Sequence, residues 1–81
     1  MTINENATFN ANITVKDTNN NDVVVMTAYA GLDKANMNVN ISVNTLNKDL
    51  VNANADSVKQ QYDEFIVVVE ARAKELGYVI F

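Results

Sequence analysis

Between positions 7 and 16 apolar and polar residues alternate without a break, Ala7, Phe9, Ala11, Ile13 and Val15 against Thr8, Asn10, Asn12, Thr14 and Lys16. That is the period of a strand with one buried face. The following Asp17-Thr18-Asn19-Asn20-Asn21-Asp22 is rich in residues that tolerate left-handed backbone and bond their own main chain, so it predicts a hairpin loop and an antiparallel second strand. The second strand, over 23–30, is apolar at nearly every position, as expected of a central strand covered on both sides. After a connection at 31–35, a third strand over 36–44 sets Met37, Val39, Ile41 and Val43 against Asn36, Asn38, Asn40, Ser42 and Asn44.

The period then changes. At about 100° per residue, Val51, Ala55, Val58, Tyr62, Phe65, Ile66, Val69, Ala73 and Leu76 fall on one stripe, which predicts an amphipathic helix over 54–76. Asn54 is its expected N-cap, Asp56 suits the positive first turn, and Gly77 follows as a natural C-terminal stop. The run Phe65-Ile66-Val67-Val68-Val69 is β-branched and in isolation reads as a buried strand. Helix formers on both sides, in phase with the same stripe, decide for helix. The fold class is therefore α+β, a three-stranded antiparallel meander followed by one long C-terminal helix (β-β-β-α). The apolar tail, Tyr78 to Phe81, either packs on the core or adds a short strand.

This pattern leaves apolar surface without a cover. One helix accounts for one face of a three-stranded sheet. Strict alternation, however, puts Val23, Val25 and Tyr29 on one side of the second strand and Val24, Met26, Ala28 and Ala30 on the other. Val67 lies opposite the helix stripe and Val68 off its edge. The expected interaction surface is Val23, Val25, Met26, Tyr29, Val67 and Val68, taken up by a second copy of the chain or a protein partner. A lone exposed valine would need no such explanation.

Composition narrows the chemistry. The 81 residues bury only about 60–65% of their unfolded surface, so a partner subunit would add to a thin stability margin. The chain has neither cysteine nor histidine, which removes disulfides, thiol nucleophiles, the usual triads and the commonest transition-metal ligands. With net charge −4 and six scattered basic residues, it lacks the clustered cations that hold nucleic acid. No apolar run approaches membrane-spanning length, and the opening Met1-Thr2-Ile3-Asn4-Glu5-Asn6 has no basic or apolar leader region. A soluble location follows, in a host cytoplasm or on a virion.

Asp17, Asn19 and Asn21 mimic the start of a calcium loop, but Asp22 stands where glycine is required and Ala28 where a bidentate carboxylate is required. Three N-x-[ST] sequons arise from the strand alternation itself, in a chain with 14 asparagines. Asp56, Asp63 and Glu70 recur every seven residues, about 10.5 Å apart along a helix axis, too far to share a metal or a proton. With Glu64 they form a candidate acidic face. No catalytic residue, metal ligand, cofactor or small-molecule substrate is expected.

The asparagine-rich, proline-free composition, the opening Met1-Thr2-Ile3-Asn4-Glu5-Asn6 and the close Glu75-Leu76-Gly77-Tyr78-Val79-Ile80-Phe81 resemble the small proteins encoded by phages and prophages of low-GC Gram-positive bacteria. That resemblance implies a virion or assembly component, or a small effector acting on a host protein. The expected function is a non-enzymatic, self-associating structural or protein-interaction module. The alternative is an acidic inhibitor of a host nucleic-acid-binding protein, presented by the carboxylate face.

Overall fold

The computed structural model describes residues 6–81, so the opening segment read for a leader lies outside the described residues except for Asn6. Strands β1 (Asn6–Lys16), β2 (Asp22–Asp33) and β3 (Asn38–Thr45) form an antiparallel sheet in the order β1-β2-β3, followed by helices α1 (Lys48–Ala53) and α2 (Ala55–Glu75). The β-β-β-α order and the α+β class are as the periodicities predict. The radius of gyration is 15.3 Å, against about 12 Å expected of a compact chain this long. The molecule is elongated, 55 × 19 × 16 Å.

The loops follow their side-chain chemistry. Asp17 Oδ1 accepts the backbone N–H groups of Asn19 and Asn21, each at 2.9 Å, and Asn20 takes a φ of 63°, which asparagine tolerates well. The carboxylate that mimicked a calcium ligand thus holds its own turn. In the second hairpin β2 runs on through Gly31 and Leu32, longer than predicted, and Asp33 Oδ1 accepts the Ala35 N–H at 3.1 Å. Met37 is not in the strand; it closes the turn with a φ of 55° and an exposed side chain.

The long helix starts where predicted, with Asn54 at the N-cap position of α2, although its side chain makes no capping bond there; a short helix not predicted precedes it. Asn47, not Asn54, caps a helix with its side chain: its Oδ1 accepts the Leu50 N–H at 3.1 Å. Asn54 sits between the two helices, and its Nδ2 donates to the Leu50 carbonyl at 2.9 Å. The C-terminal stop is as predicted. Gly77, at φ +88°, donates to the Lys74 carbonyl, and the Tyr78 N–H reaches the Ala73 carbonyl at 3.0 Å, the paired bonds of a Schellman motif. Its usual apolar contact is present, since Tyr78 and Ala73 share one core cluster. The tail adds no strand. Tyr78 is buried and donates its hydroxyl to the Asn38 carbonyl at 2.7 Å, Phe81 packs beside it, and Val79 and Ile80 face outward.

Candidate interaction surface

The second strand does not have two apolar faces, because it is bulged. Ile13 pairs with Met26 and Thr14 with Val24, leaving Val25 as the extra residue. A bulge sets two residues against one and resets the alternation beyond it. Val23, Val25 and Met26 therefore all pack on the helix side with Ile13, Val15, Val58, Leu50 and Val51, continuous with Ala28, Ala30 and Leu32. Val25 is 0% exposed; it is core, and Val23 is half-buried in the same cluster. Both leave the predicted interaction surface. The bulge carbonyl also anchors the start of the helices, since the Leu46 and Asn47 N–H groups donate to Val25 O at 2.8 and 3.2 Å.

With the bulge in place the far side of the sheet is polar. Register aligns Asn12, Thr27 and Asn44 in one row and Asn10, Tyr29 and Ser42 in the next. Tyr29 is exposed there and leans along the strand, its hydroxyl 3.1 Å from the point where a Cβ on Gly31 would stand. Val24 is the other large apolar residue on that side, so this face holds no contiguous apolar patch.

The uncovered apolar surface lies instead on the same side as the helix. A helix is about 10 Å across and strands stand about 4.8 Å apart, so one helix shields about two strands. Here α2 packs chiefly on β1 and β2 through Phe65, Val69 and Ala73. The tail covers β3 only near Val39. Ile41 and Val43 point to the helix side, opposite Ala30 and Ala28, yet remain 40% and 44% exposed. Beside Val43, the residues Met26, Val51, Val58 and Tyr62 line an open apolar notch of about 320 Å³, with Asn52 and Lys59 on its rim. Of the predicted surface residues, Met26 alone borders this notch. Strand width against helix width was the signal that could have found it.

The two edges of the sheet differ as well. Along the outer edge of β1, the Thr14 N–H donates to Gln61 Oε1 at 3.1 Å and Gln61 Nε2 donates to the Thr14 carbonyl at 2.8 Å. The carboxamide occupies the place of a neighbouring strand's peptide group. Strand β3, Asn-Val-Asn-Ile-Ser-Val-Asn-Thr, has no charge, no proline and no bulge to keep other strands away, and only its Asn38–Val39 end is covered, by the tail.

Val67 and Val68 are exposed on the outer side of α2, 63% and 57%, beside Asp56, Lys59, Gln60, Asp63 and Glu64. The acidic face is mixed in sign. Lys59 Nζ reaches both Asp63 oxygens at 3.0 Å and Arg72 pairs with Glu75 at 2.8 Å, while Glu70 is half-buried. Among the described residues no three acidic side chains are grouped to hold a metal ion, and no helix is long and apolar enough to cross a membrane. Tyr78 titrates away from its ordinary range. Burial raises its phenol above the ordinary tyrosine value and the Asp33 carboxylate adds to the effect, with a hydrogen bond from the Asp33 backbone opposing. No family model, curated protein or solved structure matches this chain.

Proposed function

We propose that the chain is a non-enzymatic interaction module that associates with a second copy of itself through β3 and the apolar notch beside it. The observation that supports this most directly is the pair Ile41 and Val43, on the core side of the sheet yet left bare by the helix. A second copy is favoured over an unrelated partner by the strand's own sequence. Antiparallel pairing of β3 with itself about Ser42 sets Ile41 beside Val43 and Asn40 beside Asn44, and brings no like charges together. The resemblance to small phage-encoded proteins adds a role as a virion or assembly component, in a host cell or on the particle. The acidic-effector alternative is weakened by the bond from Lys59 to Asp63 and by the lysine and arginine interleaved along α2.

Sedimentation equilibrium at micromolar concentration tests the reading. The expected result is a species of twice the 8.9 kDa chain mass, persisting as salt is raised, because apolar burial is not screened. A clean monomer across that range overturns it.

A further inference from the structure

The two sheet edges together fix the kind of assembly, and we infer that Gln61 closes the β1 edge so that pairing through β3 stops at a two-fold dimer. This rests on the self-association proposed above and names its geometry. A three-stranded sheet with two open edges can add copies head to tail, β3 of one molecule on β1 of the next, and such a contact does not close. Pairing β3 with β3 of the second copy is isologous and uses each molecule's open edge once. The preferred centre is Ser42. That register sets Ile41 opposite Val43 of the second copy, twice over, so the two exposed apolar positions cover one another and join the two notches. The product is a six-stranded sheet with β1 at each end.

At those ends Gln61 supplies what another strand would. Thr14's N–H and carbonyl both point away from β2, and one side-chain amide satisfies both. Alternate residues of a strand share this direction, so Asn12, Asn10 and Thr8 continue the same edge. A strand adding there must break both Gln61 bonds or stop short of Thr14. The break in register between Ile13 and Thr14 and the exposed Lys16 at the end of β1 act in the same sense. Gln61 is itself steadied by its bond to Ser57 Oγ at 3.1 Å.

The chain has no cysteine, so single thiols report which strands meet. Ser42→Cys in the otherwise unaltered protein should cross-link to itself with a short bifunctional thiol reagent, while a mixture of Asn12→Cys and Ser42→Cys proteins should give no mixed adduct. In a Gln61→Met background the mixed adduct should appear, and the mass should rise with concentration beyond twice that of one chain. Ser57→Ala, which leaves both Thr14 bonds, should stay dimeric. No Ser42→Cys adduct, together with a monomeric mass, overturns the self-association. A Ser42→Cys adduct with a folded Gln61→Met protein that remains dimeric overturns the closure by Gln61 alone. Should Gln61→Met not fold, hydrogen exchange on the unaltered protein decides. A Thr14 amide exchanging much more slowly than the Asn12 and Asn10 amides of the same edge supports the closure, and one exchanging as fast as they do overturns it.

Discussion

The two outer strands of this sheet begin from nearly the same pattern, alternating apolar residues with asparagine, serine and threonine, and end in different environments. On β1 the inward residues Ile13 and Val15 are buried beneath α2, and the edge is held by Gln61. On β3 the inward residues Ile41 and Val43 are bare and the edge is open. Alternation therefore says which way a side chain points, and not whether anything meets it there. What meets it depends on the lateral position of one helix, which is too narrow for three strands. The half-covered face is what makes β3 the candidate site.

The sharpest test of this contrast is Phe65→Ala. Phe65 is buried where α2 crosses the covered half, and its truncation should cost about 3–5 kcal/mol, enough to unfold much of a domain this small; urea denaturation measures it. Ile41→Ala, at a dilution that keeps the chain monomeric, should cost at most about 1 kcal/mol, because much of that side chain is already in water. Equal losses at the two sites would break the comparison. Val43→Lys should leave monomer stability nearly unchanged while weakening self-association at least tenfold, about 1.4 kcal/mol, as read by sedimentation; a charge on an edge strand opposes pairing.

The tail sharpens the same boundary, since Tyr78 is what covers the Val39 end of β3. Tyr78→Phe removes the hydroxyl bond to the Asn38 carbonyl and should cost about 1 kcal/mol. Because the folded phenol titrates above its ordinary value, the neutral form is favoured by folding. Its contribution is fully present below about pH 10 and is lost as pH rises through the folded value. Alkaline unfolding should therefore be less steep in Tyr78→Phe, as followed by circular dichroism. The smallest effect is at the turn leading into β3. Met37→Asn should stabilise by up to about 1 kcal/mol, since asparagine accepts the left-handed backbone that methionine resists, and the change appears as a raised Tm with association unaltered.

Much of this molecule was legible in its sequence. The alternation at 7–16 and in β3, the asparagine and aspartate loop between β1 and β2, the long helical stripe, and Gly77 as its stop are all local matters. They follow from the two-residue period of a strand, the 3.6-residue period of a helix and the φ preferences of single residues. The polar sides of β1 and β3, rich in asparagine, were legible for the same reason.

The tertiary structure alone decided the rest. The bulge at Val25 turned an apparent two-faced strand into a one-faced one, and no residue of that apolar run marks where the extra position falls. It is set by register against β1 and by the chain that hangs from the Val25 carbonyl. Asn47 and Asn54 are equally good caps by type and each stands at the N-cap of a helix, but only the Asn47 side chain makes the capping bond; the short helix it opens is held by packing of Leu50 and Val51 on the bulged end of the sheet. The sequence by itself determined the elements and the direction of most side chains, because both are properties of neighbouring residues. Where the helix lies across the sheet, which apolar residues it leaves bare and which edge it seals are properties of residues as far apart as Thr14 and Gln61, and only packing could settle them.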